Sequence, residues 1–185
     1  FKKVVASQPN IYTFRTGFAD MLNWLYDFDS SYADLAENEL KAAAELSPNR
    51  QSTYHLWAKV KRNRGDTEAA LVYIKKSIAL DPQATPPHFY HSILLFDAGR
   101  NDEAYKELKT AVALGWQPQD HNEARVIGAF LADTGRYDEA IDYFRKALAI
   151  DADDDEARIK LGLSYYFLGK FEPAKQYIQE VISKM

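Results

Sequence analysis

Apolar residues recur along most of this chain at intervals of three and four, the spacing of one face of an α-helix. In the first such stretch, the apolar positions are Phe18, Met21, Leu22, Leu25 and Phe28. Short segments rich in glycine, proline and aspartate separate the helical stretches. The pattern therefore predicts an all-α chain of short amphipathic helices.

Small residues return along the chain at a nearly constant interval. The glycines of this set are spaced 34, 36 and 34 residues apart and are Gly65, Gly99, Gly135 and Gly169. Five residues after each glycine stands an alanine: Ala70, Ala104, Ala140 and Ala174. A glycine ends a helix because it adopts a positive φ, and a small alanine lets two helices approach closely. Each repeat is thus predicted to be a pair of helices joined at its glycine.

Other residues mark where the helices of each pair begin and end. Asp66, Asn101 and Asp138 follow the glycines and supply acceptors or negative charge near the N-terminus of the second helix. The second helix is predicted to end at one of three segments: Leu46-Ser47-Pro48, Leu80-Asp81-Pro82 and Ile150-Asp151-Ala152. Proline lacks an N–H group and cannot continue a helix, so it marks the end of the pair.

This arrangement resembles the tetratricopeptide repeat, a helix pair with a period of 34 residues. Leu161-Gly162 and Tyr165 match the first-helix pattern of that family, and Ile127-Gly128 lies 34 residues earlier. Phe144 and Ala147 match the second helix. The resemblance implies a right-handed superhelical α-solenoid of antiparallel helix pairs.

The repeat phase predicts one solenoid over residues 17–185, preceded by a lead-in segment, 1–16. Its predicted hairpins are 17–50, 51–84, 85–118, 121–154 and 155–185, of which the first is degenerate. Two extra residues separate the third hairpin from the fourth, near Gly115 to Asp120. An irregular link is expected there.

In the tetratricopeptide family, the first helix of each pair lines a concave groove that holds a peptide or helix of a partner protein. The resemblance therefore implies a protein-interaction scaffold, with groove residues His55, Lys59, Arg62, Phe89, Ile93, Phe96, Arg125 and Tyr166. Ile159 and Leu163 share the same phase. Two alternatives stay open, because stripes such as Phe89 and Phe96 also fill hairpin contacts, and cations such as Lys59 and Arg62 are also ordinary solvated residues.

One specialised form of the groove is not expected here. The carboxylate-clamp members of the family carry a lysine and, four residues later, an asparagine in one first helix. The corresponding residues in this chain are His55 and Lys59. A clamp for acidic C-terminal peptides is therefore not predicted.

Composition narrows the kinds of partner. The formal net charge is −4 and the pI is about 5.6, which argues against nucleic acid as a partner. No stretch approaches the roughly 20 apolar residues that a membrane span needs, so this chain is not expected to insert into a membrane. Cysteine is absent, which fits either redox environment and leaves the compartment open. Because the first residue is Phe1, we expect the chain to be a piece of a longer protein.

No arrangement of residues predicts catalysis, a cofactor or a metal ion. His88 and His91 are three residues apart, but no acidic ligand lies in the same turn, and they are interpreted as surface histidines. The acidic run 151–156 lacks the glycine and glutamate of a calcium loop, and is interpreted as a turn that places negative charge at a helix start. The chain is therefore not expected to be an enzyme.

Two further hypotheses compete with the scaffold. The segments 46–51, 65–70, 80–82 and 113–115, with the lead-in Phe1-Lys2-Lys3, Tyr12 and Arg15, resemble the C-terminal repeats of O-antigen ligase/polymerase-type membrane proteins. That resemblance implies a soluble accessory domain of a glycan transferase. Aromatic and aliphatic residues also crowd the last hairpin, so its end is expected to be covered by a second copy of the chain, forming a homodimer, or by sequence beyond it.

Overall fold

Ten α-helices make up nearly all of the computed structural model, which describes residues 12–184. The first six are α1 (Tyr12–Trp24), α2 (Tyr32–Leu46), α3 (Gln51–Asn63), α4 (Thr67–Leu80), α5 (Thr85–Asp97) and α6 (Asn101–Ala113). The others are α7 (His121–Asp133), α8 (Tyr137–Ile150), α9 (Asp155–Phe167) and α10 (Phe171–Ile182). A 3₁₀ helix, Leu25–Asp27, follows α1. Within the described residues every regular element is helical, so the predicted all-α class of antiparallel helix pairs is confirmed.

The chain forms two compact units, Phe1–Trp116 and Gln117–Met185. In the first unit, α1 packs on α2, α3 on α4 and α5 on α6. In the second unit, α7 packs on α8 and α9 on α10, while α8 and α9 join the two pairs. The units meet in sequence within the link predicted between Gly115 and Asp120.

The first described helix begins earlier than the repeat phase indicates. Tyr12 opens α1, five residues before the predicted hairpin start at residue 17, so residues 12–16 of the predicted lead-in are helical. Residues 1–11 of that lead-in, including Phe1-Lys2-Lys3, lie outside the described residues. Phe18, Ala19 and Leu22 of α1 are buried against α2 and α3.

The turn between α3 and α4 shows how one short segment closes a helix and opens the next. Gly65 has a φ of 76°, and its N–H donates to the Arg62 carbonyl at 2.8 Å. The Asp66 N–H donates to the Lys61 carbonyl at 3.0 Å, which completes a Schellman motif. The Asp66 carboxylate then accepts from the Ala69 N–H at 3.1 Å, capping α4.

The predicted capping role holds at Asp66 and not at the two equivalent positions. Asn101 is already the first residue of α6, and Asp138 lies in the first turn of α8. Arg100 and Arg136 occupy the N-cap positions there and make no side-chain cap. The charge of Asp138 still lies in the first turn, where it favours the helix dipole.

Close packing within a pair is tightest between α7 and α8. Ala140 is fully buried there, as predicted for the alanine of the repeat. Gly128 lies under the ring of Phe144, which is also fully buried, and a Cβ atom on Gly128 would come within 2.6 Å of that ring. The absence of a side chain at residue 128 therefore sets the separation of the two helices.

Substituting Gly128→Ala is expected to lower the free energy of unfolding. The overpacked contact with Phe144 costs about 1–3 kcal/mol, which outweighs the gain of about 1 kcal/mol in helix propensity. The urea midpoint, followed by circular dichroism, measures the change.

Gly162→Ala is the matched control, because a Cβ atom there would lie 3.1 Å from the half-buried side chain of Ile178, which has room to move. This control is expected to have a nearly unchanged midpoint. Equal stabilisation of both variants would show that Phe144 does not fix the α7–α8 distance.

Candidate functional site

The predicted cations of α3 lie on one helix face, but Arg62 is already engaged. Its Nε donates to Asp97 Oδ2 of α5 at 2.6 Å, and its guanidinium lies 6.0 Å from the ring centroid of Tyr90. Lys59 Nζ lies 3.8 Å from Asp20 Oδ1 of α1 and keeps a more exposed side chain. Of the two cations, Lys59 is thus the more accessible to an acidic partner.

His55 lies beside these cations and packs its ring 5.2 Å from that of Tyr90. Burial lowers the pKa of His55 to about 4, and the nearby charge of Lys59 lowers it further. The imidazole is therefore neutral at pH 7. His55 contributes a ring surface and a hydrogen-bonding group rather than a positive charge.

The predicted groove residues of α5 have different surroundings. Phe89 stacks on Trp116 with a centroid distance of 4.1 Å and an interplanar angle of 16°. Ile93 is only 6% exposed, so it belongs to the core, and its assignment to an open groove is corrected. Phe96 is half-buried. A helix with apolar residues on more than one side places only some of them on the face that its phase suggests.

Arg125 of α7 takes part in the contact with α9. It donates to Asn122 Oδ1 at 2.7 Å and pairs with Glu156 and with Asp154, the latter at 3.6 Å. Asp154 also accepts from the Ala157 N–H at 2.9 Å and contacts His121 Nδ1 at 2.9 Å. The acidic turn therefore caps α9, as predicted, and Arg125 stabilises that turn.

Tyr166 has the most open surroundings of the predicted residues. Its ring meets Phe167 edge-on at 5.8 Å and Phe171 at 5.6 Å. Phe167 stacks on Tyr137 at 5.0 Å, yet 60% of its surface is exposed. Together with Leu163, these side chains form an exposed apolar surface on the second unit, defined here as the aromatic patch: Tyr137, Leu163, Tyr166, Phe167 and Phe171.

A groove runs beside the aromatic patch, between α7 and α9. Its volume is about 260 Å³, and it is lined by Ala129, Ala132, Asp133, Tyr137, Lys160, Leu163, Ser164 and Phe167. The floor is made of small and apolar side chains, while Asp133 and Lys160 supply one charge of each sign. The groove offers space for an apolar side chain with polar contacts at its edge.

The first unit has a second concavity that sequence reasoning did not assign. Its volume is about 590 Å³, and it is lined by Gly17, Asp20, Met21, Asn23, Trp24, Lys59 and Asn63. Trp24 is 68% exposed and lies 5.7 Å from the ring of Phe28. The signal that pointed here was the Asn23-Trp24 pair at the position where the repeat usually has Leu-Gly.

The paired histidines of α5 are buried, which corrects their interpretation as surface residues. His88 and His91 are 7% and 6% exposed. Glu107 of α6 contacts His88 Nδ1 at 2.9 Å and His91 Nδ1 at 3.5 Å. Contacts from His91 and His88 lower the pKa of Glu107 to about 2. This acidic neighbour is 19 residues from His88 in sequence, so the local pattern did not reveal it.

Two general searches of the described residues complete this account. Within residues 12–184, no group of three or more histidine, aspartate or glutamate side chains has an arrangement that would hold a metal ion. None of the helices in that range is long and apolar enough to cross a bilayer.

Comparison with known proteins identifies the repeats. Three models described as tetratricopeptide repeat match residues 52–84, 91–155 and 131–184. No curated protein matches the chain. The chain is an all-helical protein of stacked helix pairs, and it carries tetratricopeptide repeats over most of its length. The resemblance to this family is confirmed, and no comparison bears on the resemblance to O-antigen ligases.

Solved structures show the same fold at low sequence identity. A crystal structure of MamA is 20% identical, with a TM-score of 0.71, over 94% of this chain and 91% of that one. YrrB, described as a TPR protein with an unusual peptide-binding site, is 19% identical, with a TM-score of 0.72, over 98% and 90%. PilF of Pseudomonas aeruginosa is 19% identical, with a TM-score of 0.72, over 90% and 74%.

The burial of His55 makes stability sensitive to pH. Its pKa is about 4 in the folded chain and 6.5 for a free histidine, so the unfolded chain binds the extra proton first as pH falls. Stability is expected to decline as pH falls from 6.5 towards 4. His55→Phe is expected to flatten this part of the profile of urea midpoint against pH.

A proton NMR titration of the His55 ring provides a direct check. Its resonances are expected to stay at the neutral position down to about pH 5 and to move around pH 4. A midpoint near 6.5 would contradict the burial of this ring against Tyr90.

Proposed function

We propose that this chain is a protein-interaction module that holds a peptide or helix of a partner protein against the first helices of its repeats. The repeat family is typical of such scaffolds, and its concave face is the usual binding surface. YrrB, which shares the fold, is described as having a peptide-binding site. These points support the class of function and leave the partner to be found.

The groove between α7 and α9 is the observation that carries the proposal. Leu163 is 45% exposed and Phe167 60%, and both line a groove whose floor includes Ala129 and Ala132. An apolar side chain of a partner would remove these surfaces from water at about 25 cal/mol per Å². Aromatic side chains at the centre of a contact supply much of the affinity of protein interfaces.

The charges near this groove favour a partner segment with an apolar anchor and mixed polar flanks. Lys160 pairs with Glu156 at 3.8 Å, and Arg125 already neutralises acidic residues at the start of α9. Asp133 is exposed at the groove edge. No single sign of charge dominates, so we infer that affinity comes from the apolar contact, with charges setting orientation.

In the first unit, we propose that the contact centres on Lys59 rather than on Arg62. Lys59 lines the concavity together with Met21 and Trp24, so a cation and two exposed apolar side chains lie side by side. Arg62 is held by Asp97 and His55 is neutral. These two residues, together with Phe89 and Phe96, are proposed to shape the surface from behind.

We infer a binding role rather than a catalytic one. The α7–α9 groove is smaller than the roughly 300–1,000 Å³ of typical small-molecule sites. Its lining groups are mainly apolar, and the titratable ones, Asp133 and Lys160, show no resolved pKa shift that would prepare either of them for acid–base chemistry. An anchor site for one side chain fits these dimensions better.

The alternative of an accessory domain of an O-antigen ligase/polymerase-type protein rests on the resemblance of segments 46–51, 65–70, 80–82 and 113–115. A gene that encodes many apolar spans upstream of Phe1 would support it. A gene without them would remove it. Peptide binding by the α7–α9 groove is compatible with either result.

The groove is tested with peptides selected from a phage-displayed random library against the purified chain. Selected peptides are expected to shift the methyl resonances of Ala129, Ala132 and Leu163, because these side chains line the groove. Phe167→Ala is expected to weaken binding about ten-fold, which corresponds to about 1.4 kcal/mol. Isothermal titration calorimetry measures the affinity.

Phe28→Ala is the matched control, since Phe28 is a strongly exposed aromatic residue of the first unit. It is expected to leave the affinity for groove-directed peptides unchanged. Equal loss in both variants, or peptides that shift no methyl of the groove, would overturn the assignment.

A further inference from the structure

The outer side of α10 carries a stripe that the groove proposal does not use. Its members are Phe171, Lys175, Ile178 and Ile182, at successive spacings of 4, 3 and 4 residues. Such spacing places side chains on one face of a helix. Phe171 is 61% exposed and Ile182 62%, while Ile178 is half-buried. We call these four residues the α10 stripe.

The same stripe occurs one repeat earlier, on α8, where it is covered. The residues 34 positions before the α10 stripe are Tyr137, Ile141, Phe144 and Leu148. Ile141 is 5% exposed and Phe144 is fully buried, and α9 packs against this helix. The repeat therefore uses this stripe as a seat for another helix. Within residues 12–184, no helix occupies the corresponding seat on α10.

The neighbouring helix extends the seat. Leu163 and Tyr166 of α9 join Phe171 and Ile178 around a concavity of about 370 Å³. Gly162 and Ala174 also line it, and they leave space at its base. Exposed apolar surfaces that are continuous in this way mark interaction sites in folded proteins.

We propose that the occupant of this seat is α10 of a second copy, related by a two-fold axis. A two-fold contact requires a surface that is complementary to itself. The spacing 4, 3, 4 reads the same in both directions, so an antiparallel copy stays in register. Phe171 of one chain then lies against Ile182 of the other, and Lys175 lies against Ile178.

The charges beside the stripe also complement themselves. In the antiparallel arrangement, Lys175 of one copy comes near Glu180 of the other, and Glu172 comes near Lys184. Lys175 and Glu172 make no ion pair within residues 12–184. Two-fold symmetry satisfies each pairing twice, whereas an unrelated helix would need a matching sequence.

The contact is expected to give a weak dimer. The stripe spans eleven residue intervals, or about 16 Å of helix. One helix pair with this stripe covers less than the standard interface of about 1,600 Å². Association is therefore expected at micromolar concentrations. This proposal does not rest on the α7–α9 groove, because Phe167 lies outside the stripe.

Sedimentation equilibrium of the purified chain over a range of concentrations is the test. The average mass is expected to rise from the 21.1 kDa of one chain towards twice that value. Phe171→Asp and Ile182→Asp are each expected to weaken the dimer at least ten-fold, because each places a carboxylate in the apolar contact. Circular dichroism establishes that each variant is folded.

Phe28→Asp is the control, since it changes an equally exposed aromatic residue of the first unit. It is expected to dimerise like the parent chain. A parent chain that remains a monomer at the highest concentration overturns the proposal. So does a dimer whose stability is the same in the parent, Phe171→Asp and Ile182→Asp.

Discussion

The close approach of two helices within a pair is the contact on which the rest of the structure depends. None of these helices is longer than fifteen residues, and helices of that length are marginal alone in water. They persist because each buries an apolar face against its neighbours. Gly128 and Ala140 let α7 and α8 approach until Phe144 is completely enclosed. The residue of smallest volume thus determines how well the largest one is packed.

Contacts between neighbouring pairs occupy most of the charges that face one another. Arg62 joins α3 to α5 through Asp97, and Arg125 joins α7 to the capped start of α9. Partly exposed pairs of this kind contribute at most about 1 kcal/mol each. Their larger effect is to fix the side chains in place and neutralise them. The aromatic patch is left as the surface whose interactions are incomplete, which is why the proposed function centres on it.

The repeat phase predicted the helices and turns because those features depend on neighbours in sequence. Gly65 and Asp66 show this, since the hydrogen bonds that end α3 and cap α4 all lie within five residues of one another. Leu163 and Tyr166 were also placed correctly on an exposed face of α9. Whether they form a binding groove remains a prediction.

What sequence reasoning missed depends on residues far apart along the chain. His88 is enclosed by Glu107 from another helix, and Arg62 is held by a carboxylate 35 residues away. Ile93 has the phase of a groove residue, yet the packing of α5 buries it. Phe167 was noted only as part of an apolar cluster, because its exposure follows from how α9 lies on α7. Helical phase indicates a direction, and neighbouring helices decide what remains open in that direction.

Hydroxyl-radical footprinting of the chain at low concentration, read by mass spectrometry, tests the central claim most directly. That claim is that the helix pairs enclose their own core and leave the aromatic patch accessible. The account predicts rapid labelling of Phe167 and Leu163 and strong protection of Phe130 and Phe144, whose side chains are enclosed. Protection of Phe167 as strong as that of Phe144 in the free chain would contradict it.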